Sequence, residues 1–325
     1  YYGSMSTIEG NTITGNDDDG LDIDYVEDGS TVDIVDNTIT GNTDDGLYCD
    51  YVEYGSNVTI DPCTISGNGG YGIYLEYIYY GASVSIADCD ISGNGYDGIY
   101  FNDDIYEGSQ VTIERCTINE NLGAGINHSS YGVEYGSSLT IADCDISGNL
   151  DEGIYMGSDY VYEGSSLSIL NCTINDNGDE GIDLYEIYEG SMCTIEGNTI
   201  SGNGAEGLYF DDYTAYDGCM TSINDNMITD NFSDGMYLNE VYDGSVLEVG
   251  GNTVTGNGGY GIYFYESITY GCHAGITDNV ISNNGLDGIY CEEETDYGCD
   301  VMLQGNTIAA NGANGVWFDD YFADG

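Results

Sequence analysis

The chain has 325 residues, among them 50 Gly, 33 Tyr and a single Pro, and 41% of the residues are hydrophobic, enough to fill a core and to exclude general disorder. Its formal net charge is −58, with Arg115 the only Arg or Lys. Such a polyanion repels nucleic acid, anionic lipid and acidic polysaccharide, and no run of 18 apolar residues exists, which argues against membrane insertion as a helix.

From its first residues the sequence is a repeat. One Gly recurs at Gly3, Gly29, Gly55, Gly81, Gly108, Gly136, Gly164, Gly190, Gly218, Gly244, Gly271, Gly298 and Gly325, spaced by 26–28 residues. A first strand of the form Val-x-Ile follows, as in Val32 and Ile34, or Val58 and Ile60. Next comes a position held by Asn or Cys. A second short strand is centred on Ile13, Ile39 and Ile65 in successive repeats. Asn then stands in every repeat, beginning with Asn16, Asn42 and Asn68, and four residues later comes Gly, as at Gly20, Gly46 and Gly72. That Gly needs positive φ or a close backbone approach. It opens a third strand such as Ile73-Tyr74-Leu75. All variation in length falls between this strand and the next repeat, so one corner is variable and the rest is a fixed frame.

Strict alternation places the aliphatic residues inside and Thr, Ser and Tyr outside. No single repeat can bury its own apolar side, but stacked repeats share one core. Strands that recur with no helix between them stack in parallel, and the handedness of parallel crossovers favours right-handed winding. The fold expected is all-β: one right-handed parallel β-solenoid over residues 1–325, of about twelve coils with three short strands each. At the spacing of neighbouring strands, twelve coils make a rod roughly 58 Å long. The pattern Asn-Thr-Ile-x-Gly-Asn-x-x-x-Gly-Ile-Tyr resembles the right-handed parallel β-helix repeat of pectate-lyase-like proteins over the whole chain. The resemblance implies a fold that serves lyases, hydrolases, adhesins and passive surface proteins alike.

In such a stack every column of equivalent residues is a ladder. The Asn16, Asn42, Asn68 column reads as structural, its amides bonding along the axis. Cys63, Cys89, Cys116, Cys144 and Cys172 fill five consecutive places of the Asn-or-Cys column and read as small buried fillers, since their Cβ vectors point the same way. Eleven Cys cannot all pair, and Cys272 with Cys299 is the pair placed for a bridge. No Cys-x-x-Cys occurs, which argues against zinc.

Acidic residues precede the Gly of the third strand and double up in some coils. Asp18, Asp19, Asp44 and Asp45, and then Asp151, Glu152, Asp179 and Glu180, are the candidate sites for Ca²⁺ or another hard cation. Tyr74, Tyr100, Tyr209, Tyr237, Tyr263, Tyr290 and Trp317 form a column on the outer side of the third strand. It reads either as a contact surface for glycan or for a partner chain, or as ordinary strand stacking. Sequons mark Asn57 and Asn127 as glycosylation candidates, and Asn231 lies in the buried column. Thr12, Thr14, Thr38, Thr40, Thr253 and Thr255 suggest a flat Thr array, but Asp90, Asp145 and Met227 interrupt it.

No catalytic residue is expected. Pectate lyases of this fold use Arg or Lys, and only Arg115 is present, beside the Cys column. The Gly-His-Gly and Arg-x-Lys of polygalacturonase-like hydrolases are missing. His128 and His273 stand alone, and no position breaks the repeat to form a cleft. The first and last coils carry no cap, and Gly3 and Gly325 share a phase. These features point to an extracellular structural rod whose copies stack end to end in a filament or surface layer. The alternatives are an adhesin-like rod binding glycan or Ca²⁺ and, less favoured, a polysaccharide lyase or hydrolase.

Overall fold

The computed structural model describes residues 3–319 apart from 129, 131, 294, 296 and 297, and for 158 and 159 the backbone only. Gly325, the last of the recurring Gly, lies outside the described residues. The described chain winds as a right-handed β-helix with three long parallel sheets. The first coil contributes Met5–Glu9, Thr12–Thr14 and Leu21–Val26, one strand to each sheet. The first and second sheets hold twelve strands each and the third holds thirteen. The extra member of the third sheet, Gly132–Val133, pairs with Ile154–Val161 of the following coil.

Register is strict. Ile8, Ile34, Ile60, Ile86 and Ile113 stack in the first sheet. Ile13, Ile39, Ile65, Ile91 and Ile118 stack in the second. From the second coil onward these side chains are buried, as are Leu47, Ile73, Ile99 and Ile126 in the third sheet. Phe101, Phe210 and Phe264 fill the same core from the third sheet. Burying such a side chain contributes about 1.5–3 kcal/mol, so the aliphatic columns are the main source of stability.

The corners decide the shape. The first corner carries a left-handed residue, as at Asp36, Asp88 and Asn171, and the second another, as at Gly15, Glu120 and Asp230. The third corner carries two in succession, Asp28 (φ 55°) and Gly29 (φ 72°) in the first coil, and likewise Glu107 and Gly108. Asn and Asp tolerate this region because their short side chains bond locally. The Gly that opens the third strand has a different reason. At Gly46 a Cβ would lie 2.4 Å from Ile65 Cγ2, 2.6 Å from the Gly72 oxygen and 2.7 Å from Asn68 Nδ2. Close approach, not positive φ, demands Gly there.

Each corner is closed by a polar ladder. After the second corner, Asn149 Oδ1 accepts both the backbone N–H and the side-chain amide of Asn121, at 3.1 and 3.0 Å. Asn149 Nδ2 in turn donates to Asn177 Oδ1 and to the Ile118 carbonyl. After the first corner, Asn198, Asn226, Asn252 and Asn279 form a similar ladder. The five cysteines continue it with weaker groups: Cys89 Sγ donates to the Ala87 and Ile60 carbonyls, and Cys116 N–H reaches Cys144 Sγ at 3.5 Å. After the third corner, Ser137 Oγ accepts from Ser109 N–H and Ser165 Oγ from Ser137 N–H, both at 3.2 Å. Every Cys is a free thiol. That includes Cys272 and Cys299, where the Cys272 N–H donates to Cys299 Sγ at 3.2 Å.

These ladders rank the positions. Asn149→Ala leaves the Asn121 N–H and amide without an acceptor and costs about 3 kcal/mol. Asn226→Cys, in the column that already accommodates thiols, costs on the order of 1 kcal/mol. Urea unfolding midpoints of the two variants check the order; equal midpoints would contradict it.

Candidate functional site

The outer face of the third sheet, with the variable corner beyond it, holds the groups with chemical potential. Two structural duties must be subtracted first. In the acidic column, the Asp side chains hold the backbone of the next coil: Asp19 Oδ1 accepts Asp45 N–H at 2.9 Å, Asp45 accepts Tyr71 N–H at 2.7 Å and Asp97 accepts Ala124 N–H at 2.6 Å. Asp234 accepts Tyr260 N–H at 2.5 Å. Burial pushes these carboxyls up, to about 7 for Asp45, about 6 for Asp97 and about 7 for Asp234. In the aromatic column, Tyr74, Tyr100, Tyr209, Tyr237 and Tyr263 are half-buried, Tyr290 is buried, and only Trp317 is exposed. The rings pack on one another, as Tyr74 on Tyr100 and Tyr290 on Trp317. Several phenols donate to carboxylates: Tyr209 to Asp211, Tyr263 to Glu292 and Tyr290 to Asp319. This column is therefore largely covered by its own stacking.

Beyond it, at the variable corner, Tyr79, Tyr106, Tyr135, Tyr162, Tyr188, Tyr216, Tyr242 and Tyr270 form one ladder with centroids 4.6–6.2 Å apart. Of these rings, Tyr135 and Tyr270 are exposed and the others half-buried. Beside its middle the repeat breaks. The strand Ile154–Val161 shifts register against Ile182–Ile187 between Met156 and Tyr160. Two coils on, Tyr213–Ala215 leaves the third sheet to pair with Glu240–Val241. The Asn239 N–H and the Thr221 hydroxyl, both bonded to Thr214, hold this detour in place. A cavity of about 490 Å³ results, lined by Glu134, Tyr160, Tyr162, Glu186, Tyr188, Tyr213 and Tyr216. Burial, with Asp212 nearby, pushes Glu186 up to about 7. The expectation that no position breaks the repeat is corrected here. Three 28-residue coils, Gly108 to Gly136, Gly136 to Gly164 and Gly190 to Gly218, carry the extra residues that make the detour.

The acidic candidates separate. Asp18, Asp19 and Asp44 bring carboxylate oxygens within 4.8 Å of one another, whereas Asp45 turns to its backbone partner. Glu152 and Glu180 converge to the same limit with Asp183, which the sequence reading missed. Asp151 and Asp179 are exposed and outside that group.

The remaining candidates lie elsewhere. Asn57 is exposed at the start of its strand, whereas the Asn127 amide nitrogen, the atom a glycan would be joined to, donates to Asp97 Oδ2 at 3.0 Å. Arg115 sits at the first corner, bonded to Asp88 and Glu114. His128 is buried in the core, stacked on Phe101. His273 lies between Glu248 and Asp300 on the first sheet. Among the described residues, no basic side chain faces the third-sheet cavity.

A family model described as a right handed beta helix region matches residues 1–132, 77–215 and 185–274. No curated protein sequence matches the chain. Among solved structures, the A-module of the mannuronan C-5 epimerase AlgE6 of Azotobacter vinelandii is similar with a TM-score of 0.55 and 12% identity, covering 98% of this chain and 88% of that one. The AlgE4 A-module of the same organism has a TM-score of 0.50 and 16% identity, covering 90% of each chain. Pectate lyase Pel9A has a TM-score of 0.44 and 14% identity, covering 87% of this chain and 71% of that one. At such identities the likeness is one of fold.

The buried carboxyls fix a pH dependence. Asp97, Asp234 and Asp45 hold their protons more tightly folded than unfolded, with folded values of about 6, 7 and 7. Stability is therefore greatest near the unfolded value of about 4 and is lost as the pH rises through about 7. The thermal midpoint falls over that window, and Asp97→Asn, which keeps an acceptor for Ala124, flattens the fall. A midpoint that rises from pH 4 to 7 would refute the assignment.

Proposed function

The chain belongs to the right-handed β-helix family, and from that premise we propose that it is an extracellular rod that binds neutral glycan along its variable corner and performs no catalysis. The observation that carries this reading is the Tyr-lined cavity set beside a ladder of eight tyrosines. Stacked phenol rings offer flat apolar faces with a hydroxyl rim, which suits the apolar faces and hydroxyls of a sugar ring. A volume of about 490 Å³ is of the size that takes a small ligand. The charge of −58 argues against an acidic polysaccharide. Chemistry on such a substrate would also need a cation to stabilise developing negative charge, and the one Arg sits at another corner, bound to two acids.

On a panel of neutral oligosaccharides, the native rod retains at least one, and Tyr188→Ala or Tyr216→Ala lowers that retention about tenfold, the loss of one stacking contact. Tyr54→Ala, stacked on Tyr80 and outside the cavity lining, leaves it unchanged. Retention that ignores all three substitutions would sink the reading, as would measurable turnover of any bound glycan.

A second reading, stacking of copies end to end in a filament or surface layer, is favoured by the equivalence of the rungs. Each presents the same strand edges and polar ladders, so the ladder of one copy can continue into another. Charge repulsion opposes this contact and salt screens it. Sedimentation is expected to show growing assemblies as salt is raised, and a single monomeric species at all salt concentrations would rule the filament out.

A further inference from the structure

We propose that Glu152, Glu180 and Asp183 form a binding site for a hard divalent cation of the calcium type, set in the third-sheet face beside the break in the repeat. The three side chains come from two adjacent coils, and their carboxylate oxygens lie within 4.8 Å of one another. Asp183 is only 8% exposed, and its Oδ1 is buried with no hydrogen-bond partner. A buried carboxylate grouped with two others carries a large desolvation and repulsion cost. Arg115 is committed to Asp88 and Glu114 at the first corner, His273 lies on the first sheet, and among the described residues no Arg or Lys is left to neutralise the group. An ion from solution can.

The departure from the repeat supports the same assignment. The other acidic members of this column are Asp, whose short side chain reaches the N–H of the next coil, as Asp97 reaches Ala124 and Asp234 reaches Tyr260. Coils six, seven and eight carry Glu152, Glu180 and Glu206 instead. Glu206 is taken up by the Ser233 hydroxyl at 2.7 Å, which leaves Glu152 and Glu180 to face Asp183. In the same coil as Glu180 the aromatic column gives way to Asp183, between Tyr155 and Tyr209. Replacing a ring by a short carboxylate leaves room for the longer Glu180 of the same coil and Glu152 of the coil before. All the donors are carboxylate oxygens, the set that selects a hard cation over zinc or copper.

This inference is independent of the glycan reading. Terbium(III) tests it, because a bound ion next to Tyr155 and Tyr209 is excited through their rings. Titration of the native protein should give saturable sensitised emission that calcium displaces. Asp183→Asn and Glu180→Gln should each weaken it about tenfold or more. Asn stands at the same column position in Asn127, so Asp183→Asn has a precedent for folding; circular dichroism and the thermal midpoint verify that it does. Asp19→Asn, in the separate exposed cluster, should leave the emission unchanged. Calcium should raise the thermal midpoint of the native protein and not that of Asp183→Asn. Folded Asp183→Asn protein that titrates like the native chain would overturn the site, as would loss of the signal in Asp19→Asn alone or no sensitised emission at all.

Discussion

The amide ladder that runs along the axis through Asn121, Asn149 and Asn177 is the constraint on which the rest of the molecule depends. A left-handed residue turns the chain at each of the first two corners and takes the following N–H out of the sheet register. That N–H is buried and must be paired. After the second corner the side chain of the equivalent residue one coil further on reaches it, as Asn149 Oδ1 reaches the Asn121 N–H. Because donor and acceptor are equivalent positions in successive coils, the amide ladder runs unbroken where Asn repeats, and thiols continue it with weaker groups at the first corner. Uniformity along the axis is therefore a hydrogen-bonding requirement as well as a packing one. The tight Gly at the start of the third strand follows from it, since the amide and the neighbouring Ile occupy the space a Cβ would need.

The same constraint sorts the acidic residues. Asp in the column before the third strand is bound to the backbone of the next coil, and its burial raises its proton affinity. These carboxyls take up protons at a higher pH than exposed acids do, so the formal charge of −58 falls earlier on acidification than ordinary carboxyls would allow. Most of the remaining acids line the surface, where solvent and counter-ions screen them. Acidity of this degree is compatible with a rod because the charges spread along its length.

Most of the frame was legible in the sequence. Ile39, Asn42 and Gly46 recur at fixed offsets because translation by one coil maps each onto its copy, so periodicity alone identifies core, ladder and close approach. The outward Tyr column was legible as a column, but its exposure was not. Whether rings at this spacing stand free or lie on one another depends on side-chain torsions that no repeat pattern encodes. The cavity was hidden for a different reason. It arises from a register shift between Met156 and Tyr160 and from a strand that leaves its sheet at Tyr213, both within the corner where the repeat is loose. The visible trace was the cluster of 28-residue coils.

Asp183 shows how function is to be sought in a molecule this regular. A carboxylate is uninformative where 59 acids are present. What singles out Asp183 is that Tyr gives way to a buried carboxylate in the coil where Glu180 replaces Asp, and that these two acids converge with Glu152. Each change alone forfeits something: the Tyr stack loses a ring, and the Glu no longer holds the N–H of the next coil. A coil that forgoes both contacts and then leaves a carboxylate oxygen buried without a donor is less stable than its neighbours unless something else occupies the place. In a translational stack the reference for every residue is its own column. A coupled departure that costs stability is a more specific signal of a site than any residue type considered alone.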